Sequence, residues 1–281
     1  MPRVTFRNAR DQQLVADYTA AAGDWRPATG RADRGGEPSR AAGSPLDGAA
    51  PLVVLAHGFG SERRARGRFP AVATAFAAAG YATLAFDFAG CGESDDDILT
   101  LEHQVEDLQA AIAYARSLGH DRLGLHGHSL GGRVCLQASP PEAVTIATAG
   151  APTGPVDYDL HEYFTAAQMD ELARTGRVTM PQDKDRSRAT VVSSSELLEE
   201  LRGCNQAALF GRVPYPVLLI DGDGDWEERQ YLALARQGLP LLPAGSRVEL
   251  VPGAPHNLAG HLEQVIALLL AWFAEHLPVR A

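Results

Sequence analysis

The sequence predicts an α/β protein built on a mostly parallel, doubly wound sheet of about eight strands. Short apolar runs alternate with longer amphipathic segments from Leu52 to the C-terminus, which is the pattern of strands joined by crossover helices. A shorter alternating segment precedes them and predicts an N-terminal antiparallel hairpin. A third observation is that the chain's chemically suggestive motifs all follow strand-like runs. Such sheets bind ligands beyond the carboxyl ends of their strands, so we expect a functional site there.

The elements follow in order along the chain. The N-terminal hairpin joins Val4–Arg7 to Leu14–Tyr18 across a polar turn. Six further strands are predicted from apolar runs: Leu52–Ala56, Ala82–Asp87, Arg122–His126, Ala143–Ala147, Val217–Asp221 and Arg247–Val251. Five helices are predicted from amphipathic segments: Pro70–Ala79, Leu101–Leu118, Leu130–Ser139, Glu227–Gln237 and Leu258–His276.

Two segments interrupt this alternation. Residues 22–50 are rich in Gly, Pro, Ala, Arg and Asp without periodicity, which predicts a long flexible loop; a lid or partner-binding segment is the alternative. Residues 151–205 lie beyond a strand end and predict a small cap over the site, with a surface excursion as the alternative. The core would then comprise 1–150 and 206–281. Within the cap we expect a polar helix inside Asp157–Arg174, strands at Arg177–Met180 and Thr190–Val192, and a helix at Ser195–Leu201.

Composition restricts the classes of partner. The 281 residues carry a formal net charge of -10, which argues against nucleic acid or an anionic membrane as a partner. No apolar run approaches the ~18 residues of a membrane span, and the N-terminus has no apolar signal region. The three cysteines are too few and too scattered for a disulfide framework or a metal site. We therefore expect a cytoplasmic monomer or homodimer without a metal or other cofactor.

The most informative motif reads Gly127-His128-Ser129-Leu130-Gly131. It lies between a strand-like run and a helix-like run, which is the setting of a nucleophile elbow. In that turn the serine hydroxyl projects from the sheet edge, and glycines allow the strand and helix to cross closely. Ser129 is therefore the predicted nucleophile; an ordinary helix N-cap serine is the alternative.

Two partners for this serine follow in the chain. The strand at Val217–Asp221 leads into the acidic turn Gly222-Asp223-Gly224-Asp225, and the last strand leads into Gly253-Ala254-Pro255-His256. A serine hydroxyl becomes a good nucleophile when an imidazole accepts its proton, and a carboxylate fixes the tautomer of that imidazole. Serine, acid and histidine in this chain order, each after a strand, predict a hydrolytic triad with His256 as general base.

These motifs resemble those of the α/β-hydrolase superfamily, serine esterase type. The chain is most similar to the bacterial cinnamoyl/feruloyl esterase-like hydrolases, from about Pro51 to the C-terminus and more weakly over 151–190. Two further segments carry the resemblance: Leu55-Ala56-His57-Gly58-Phe59-Gly60 and Phe86-Asp87-Phe88-Ala89-Gly90-Cys91-Gly92-Glu93-Ser94. The resemblance implies an α/β-hydrolase fold with a small cap insertion.

The resemblance also implies the identity of the acid. The family usually has His-Gly-x-x-Asp, with the final Asp as the acid, so Asp225 is the predicted partner of His256. This chain has Asp221 in place of the motif's His, and Asp223 is the alternative acid because it lies in the same turn. The family's usual Val-Pro after the acid is replaced by Trp226-Glu227-Glu228, which changes the expected backbone around Asp225.

An acyl-transfer site also needs two backbone N–H donors for the oxyanion. Leu130 directly follows the nucleophile, and Phe59 follows a strand end, so their N–H groups are the predicted donors. His57, His126 and His128 are interpreted as structural.

The predicted function is that of a serine hydrolase cleaving small carboxylic esters through an acyl-enzyme, with a small-molecule ester as its substrate. Thioesterase, peptidase and acyltransferase activities use the same triad and are alternatives. A non-catalytic binding member of the fold is a further alternative, since fold does not fix function.

Overall fold

The computed structural model describes residues 1–22, 50–182 and 186–280. The predicted flexible loop at 22–50 therefore lies almost wholly outside the described residues. All other predicted elements fall within them.

The centre of the molecule is an eight-stranded sheet, as predicted. The strands of the described chain are β1 Arg3–Arg7, β2 Gln13–Thr19, β3 Leu52–Ala56, β4 Ala82–Phe86, β5 Ile98–Leu99, β6 Leu123–His128, β7 Ala143–Ala149, β8 Arg177–Pro181, β9 Thr190–Ser194, β10 Val217–Gly222 and β11 Arg247–Val251. The order in the large sheet is β1-β2-β4-β3-β6-β7-β10-β11. The hairpin β1–β2 and the pair β2–β4 are antiparallel, and every other pair in this sheet is parallel.

Helices cover both faces of this sheet. They are α1 Arg68–Ala78, α2 Leu101–Ser117, α3 Leu130–Ala138, α4 Leu160–Tyr163, α5 Ala166–Thr175, α6 Ser195–Arg202, α7 Gln206–Phe210, α8 Trp226–Gly238 and α9 Leu262–His276. One apolar core lies between the sheet and α1 and α9. The other lies against α2, α3, α7 and α8. The central strands β3 and β4 are buried on both faces, which is why they read as continuous apolar runs rather than alternating ones.

The last helix begins later than predicted. The apolar pattern suggested a start at Leu258, but α9 starts at Leu262. Leu258 has φ 60° and Gly260 has φ 77°, so the backbone makes a left-handed turn there before the helix can begin. Val265, Leu269 and Trp272 then repeat at helical spacing and face the core.

The segment 151–205 contains the strands β8 and β9 and the helix α6 that were expected, but two helices, α4 and α5, where a single polar helix was predicted. One further feature was not predicted. The two-residue strand β5 pairs in parallel with β9, so that β5, β9 and β8 form a second, three-stranded sheet. Two residues are too short to give a periodic sequence signal, which is why β5 was missed. Through this pairing the segment 151–205 is hydrogen-bonded to the chain between β4 and α2.

A buried arginine ties the N-terminal hairpin to the loop after β3. The Arg63 side chain is 2% exposed and forms ion pairs with Asp17 of β2, with Asp87 after β4 and with Glu93. Asp87 also accepts the Arg63 backbone N–H. A buried charge must be paired to be tolerated, so these three carboxylates hold the loop between β3 and α1 in place.

Candidate active site

Ser129 lies in the turn between β6 and α3. Its backbone has φ 56° and ψ -127°, an uncommon conformation for a residue with a side chain. A side chain on Gly127 would overlap the backbone of Gly131, and one on Gly131 would overlap the carbonyl of Ala56. Only glycines therefore allow α3 to start this close to β6 and β3. The turn has the geometry of a nucleophile elbow and directs the Ser129 hydroxyl away from the strand.

His256 reaches Ser129 from the loop after β11. Its Nε2 lies 3.0 Å from the Ser129 Oγ. Two contacts fix the backbone of His256: its N–H donates to Asp225 Oδ2 at 2.6 Å, and its carbonyl oxygen lies 2.8 Å from His128 Nε2. The predicted serine and histidine are thus within hydrogen-bond distance although 127 residues separate them in the chain.

The carboxylate beside the His256 ring belongs to Glu228. Its Oε1 lies 2.7 Å from His256 Nδ1, and its Oε2 accepts the backbone N–H of Gly222. The Glu228 side chain is fully buried in the first turn of α8. Because a carboxylate accepts hydrogen bonds, Nδ1 carries the ring proton, and the Nε2 lone pair faces the Ser129 hydroxyl.

Asp225, the predicted acid, does not reach the ring. Its Oδ1 accepts the Glu228 backbone N–H at 3.0 Å as the N-cap of α8, and its Oδ2 accepts the His256 backbone N–H. The alternative, Asp223, is also elsewhere, since its Oδ1 accepts the Gly253 backbone N–H at 2.6 Å. Both aspartates therefore brace the two loops through backbone contacts, and Glu228 replaces Asp225 at the imidazole.

A sequence signal for Glu228 was available. Asp225 and Glu228 have the spacing of an N-cap residue and a glutamate three positions later, which marks the start of a helix. In a capping box the glutamate turns back to the N-cap backbone. Here its side chain instead extends to Gly222 and His256, so the helix start places it beside the imidazole.

A second buried acid, Asp221, lies close to Glu228. Burial, and then the negative charge of Glu228, raise the pKa of Asp221 well above its usual range. Its Oδ2 has no hydrogen-bond partner among the residues that the structure describes. The surroundings of Asp221 therefore favour its protonated form over its charged form.

Three further histidines surround the site. Each makes a structural contact, as the sequence suggested. His57 Nδ1 lies 2.9 Å from the Gly58 carbonyl, His126 Nδ1 lies 3.0 Å from that of Ala147, and His128 contacts the His256 carbonyl. Burial lowers the pKa of all three, that of His126 to about 4. They are therefore neutral at pH 7, and each stabilises the backbone carbonyl that it contacts.

The loop after β3 lies directly against the serine. A Cβ on Gly58 would be 3.0 Å from the Ser129 Cβ, so the backbone leading to Phe59 passes beside the elbow. Within residues 1–22, 50–182 and 186–280, the N–H groups of Phe59 and Leu130 donate to no other protein group. Two free backbone donors thus flank Ser129, at the positions where the sequence predicts oxyanion donors.

Ser129 opens into a cavity of about 630 Å³. One wall is aromatic and aliphatic and comes mainly from the cap and α8; it includes Tyr158, Leu160, Tyr163, Phe164, Met180 and Tyr231. The hydroxyls of Tyr158 and Tyr231 are 2.8 Å apart, and the Tyr163 hydroxyl donates to Glu227 at 2.6 Å. The wall therefore combines apolar area with a few fixed polar groups, as small-molecule pockets do.

Comparison with known proteins assigns the family. The sequence profile of the alpha/beta hydrolase family matches residues 53–269, which is most of the chain. The chain belongs to this family. The fold and family predicted from the motifs are thereby confirmed.

Two solved structures are similar to this chain in fold. An esterase domain from Rhodothermus marinus is 21% identical, with a TM-score of 0.63 over 98% of both chains. Est1E from Butyrivibrio proteoclasticus, solved with ferulic acid, is 19% identical, with a TM-score of 0.66 over 98% of this chain and 99% of that one. At these identities the likeness is one of fold.

A closer but shorter match is the quorum-quenching protein AidA of Acinetobacter baumannii (strain MDR-ZJ06). It is 44% identical over 90 residues, which are 30% of this chain and 29% of AidA. The chain thus matches less than a third of the length of this curated relative.

The described residues contain no helix long and apolar enough to cross a membrane. They also contain no group of three or more His, Cys, Asp or Glu side chains suited to holding a metal ion.

Proposed function

We propose that this protein is a serine hydrolase that cleaves small carboxylic esters through an acyl-enzyme. The observation that carries the proposal is the chain of hydrogen bonds from Ser129 Oγ to His256 Nε2 at 3.0 Å and from His256 Nδ1 to Glu228 at 2.7 Å. A serine, an imidazole and a buried carboxylate in this arrangement form the triad that activates a hydroxyl for attack on a carbonyl.

In the first half of the proposed reaction, Ser129 Oγ attacks the ester carbonyl while His256 Nε2 takes the hydroxyl proton. The N–H groups of Phe59 and Leu130 donate to the oxyanion that forms. Glu228 keeps the ring in the required tautomer and stabilises the imidazolium. When the tetrahedral intermediate collapses, the ester C–O bond breaks, and the imidazolium gives its proton to the leaving alcohol.

The second half reverses these roles with water. His256 takes a proton from the water that attacks the acyl-serine, and the same two N–H groups hold the second oxyanion. The bond between the acyl group and Ser129 then breaks, the proton returns to Oγ, and the carboxylic acid leaves. Each step thus uses groups that already contact one another or face the cavity.

Several features favour esters as the substrate class. The cavity is of small-molecule size and largely apolar. The solved structures with a similar fold include an esterase domain and an esterase with bound ferulic acid. An ester also has a less demanding leaving group than an amide, because an alkoxide is a weaker base than an amide anion. The pocket and the triad together therefore support a small ester as the substrate.

The test is a series of p-nitrophenyl esters from acetate to palmitate, with methyl ferulate and an acyl thioester. Wild type should turn over short or aromatic esters, and Ser129→Ala should lose roughly 10³-fold or more in kcat with an unchanged melting temperature. Ser117→Ala, at an exposed serine that caps its own helix end, is the matched control. Turnover retained by Ser129→Ala would refute the nucleophile.

Labelling with a fluorophosphonate probe gives an independent readout. A triad-activated serine reacts with such a probe without needing the right substrate. Covalent labelling of wild type at Ser129, absent in Ser129→Ala, would support the proposal even if no ester in the series were cleaved. Absence of both labelling and turnover would favour a non-catalytic member of the family.

A further inference from the structure

We propose that the cavity beside Ser129 contains an anion subsite, in which Arg68 and Arg186 bind a carboxylate or phosphate group of the substrate. This inference rests on the proposed function, since it names the substrate class as esters that carry an anionic group. Both arginines line the cavity into which Ser129 opens.

The first support is the charge of the cavity. The whole chain has a formal net charge of -10, yet among the residues that the structure describes the charged side chains of the cavity lining are Arg66, Arg68, Arg186 and one carboxylate, Glu227. Glu227 is already engaged, because it accepts the Tyr163 hydroxyl and lies 3.9 Å from His256 Nε2. An acidic protein thus concentrates positive charge at its candidate active site.

Arg68 is partly buried at the start of α1 and is held by neutral groups only. Its Nε donates to the Ala65 carbonyl at 3.1 Å and its Nη1 to the Asn257 carbonyl at 2.8 Å. No carboxylate pairs with it within the described ranges. Burial lowers the pKa of Arg68, and the charges of Arg186 and Arg66 lower it further, so Arg68 is close enough to both cations to be repelled by them.

The geometry around Arg186 supports the anion subsite more strongly than the geometry around Arg68. Its side chain is 11% exposed, and its Nε and Nη1 are buried without a hydrogen-bond partner among the described residues. Within the part of the chain that the structure describes, the carboxylate that pairs with Arg186 is that of Glu62, whose Oε1 lies 4.0 Å from Nη1, the outer limit of an ion pair. Glu62 accepts instead from the backbone N–H and hydroxyl of Ser187. Buried guanidinium donors are normally satisfied, so these two indicate a missing acceptor.

The chemistry of the missing acceptor follows from the donors. A guanidinium presents parallel N–H groups that match the two oxygens of a carboxylate or phosphate. An anion between Arg68 and Arg186 would satisfy the open donors and cancel their mutual repulsion at once. A neutral ligand would satisfy the donors but leave the repulsion.

The position of the subsite makes it part of substrate binding. Arg68 holds Asn257, the residue after the proposed base, and Gln182 near Arg186 lies beside Gly60 in the loop that carries Phe59. The arginines therefore flank the ester-bond site, while the aromatic wall from the cap is available to the apolar part of the same substrate.

The experiment compares one acyl group with and without its charge. Mono-p-nitrophenyl adipate carries a free carboxylate, and its methyl ester is the neutral match; spontaneous hydrolysis is subtracted for both. In wild type we expect kcat/KM to favour the anionic ester by at least about tenfold, mainly through KM. Added salt should reduce the preference.

The variants locate the effect. Arg186→Gln should reduce the ratio of the two kcat/KM values about tenfold, and Arg186→Lys should retain part of it because the charge remains. Arg116→Gln is the control, since it removes an exposed arginine outside the cavity and should leave the ratio unchanged. The inhibition constants of adipate and inorganic phosphate as competitive inhibitors show which anion binds better. Arg186→Gln should weaken inhibition by both anions.

Binding in the absence of turnover separates this inference from the proposed function. Calorimetry on Ser129→Ala with adipic acid monoanilide should detect binding that its methyl ester lacks. Such binding without ester hydrolysis by wild type would uphold the subsite and refute the hydrolase. Equal hydrolysis of both esters with no preferential binding of the anion would refute the subsite and leave the hydrolase. This measurement also stands if Arg186→Gln fails to fold.

Discussion

Glu228 and Asp225 both contact His256, but at different atoms. Glu228 contacts the ring at Nδ1, whereas Asp225 accepts the backbone N–H of the same residue. Asp225 also caps α8, the helix from which Glu228 projects. One aspartate therefore aligns both the loop of the base and the helix of the acid, while the glutamate acts on the imidazole itself.

Glu228→Gln should lower kcat by roughly 10²- to 10⁴-fold, because an amide in that position no longer fixes the ring tautomer or stabilises the imidazolium. Asp225→Asn should lower kcat less, because it weakens a helix cap and a backbone contact, at a cost of about 1 kcal/mol in the free energy of unfolding. Initial rates and urea unfolding of both variants separate the two effects.

Glu263→Gln, at an exposed position in the first turn of α9, controls for the loss of one carboxylate. It should leave both kcat and the unfolding free energy close to wild type. A larger loss of kcat in fully folded Asp225→Asn than in Glu228→Gln would return the acid role to Asp225.

The sequence could predict Ser129 and His256 as neighbours because each follows a buried strand, and the carboxyl ends of parallel strands meet at one sheet edge. The acid could not be located in the same way. Asp223, Asp225 and Glu228 all follow the same strand within six residues, so strand order does not choose among them. The choice depends on where α8 begins and which way its first turn faces, which is a property of packing.

At the level of elements, Gly150, which directly follows β7, lies against the first turn of α8. This residue has φ 58°, in the left-handed region, and its N–H donates to the Ile220 carbonyl of β10. A Cβ there would overlap Glu228 Oε1 and lie 2.9 Å from His256 Nδ1. The hydrogen bond between Glu228 and His256 therefore exists in space left by a missing side chain.

Gly150→Ala should lower kcat at least about tenfold, because its methyl group pushes the Glu228 carboxylate away from the His256 imidazole. Displacing one catalytic group has an effect of roughly this size. It should also cost about 1–2 kcal/mol of stability through the positive φ. Kinetics and thermal unfolding of the variant measure both effects.

Gly119→Ala is the matched control, since Gly119 has φ 93° and open space around its would-be Cβ. It should share the loss of stability but keep kcat. Full activity in Gly150→Ala would contradict the close approach of β7 to the pair of Glu228 and His256.

Element prediction succeeded where one residue pattern dominated. The six strands of the large sheet from β3 to β11 are mostly apolar runs, and α8 and α3 follow turn signals, so their positions were predictable. The strand β5 and the helix α7 were missed, because two and five residues are too few for a period to emerge. Both depend on tertiary partners: β5 on β9, and α7 on the packing of Phe210 in the core.

At the scale of the whole molecule, buried neutral histidines connect folding to pH. His57, His126 and His128 are each at most 5% exposed, and burial lowers the pKa of each. Below pH 6.5 the unfolded chain binds protons at these positions and the folded chain does not. Stability from these groups is therefore complete at neutral pH and is lost as pH falls.

His126 isolates this effect, because its pKa falls from 6.5 to about 4. Between pH 7 and pH 4 the wild type should lose up to about 3 kcal/mol more stability than His126→Asn, which removes the titrating group. Urea unfolding of both proteins across this range measures the difference.

His161→Asn, at an exposed histidine of α4, provides the comparison for a surface site. Comparing variants at each pH cancels the contribution of the buried acids Asp221 and Asp107, whose raised pKa values act in the opposite direction. A gap between wild type and His126→Asn that stays constant from pH 7 to pH 4 would contradict the prediction.

The pairing of β5 with β9 has a mechanical consequence. It joins one half of the cap, comprising β8, β9 and α6, to the core through backbone hydrogen bonds. Val191 and Leu197 of this half are buried in the apolar core. The other half, α4 and α5, has no buried residue within its helices but is joined to β8, because Gln168 and Glu171 of α5 both hydrogen-bond Thr179. Outward movement of this segment as one rigid body would therefore have to break the backbone pairing of β5 with β9.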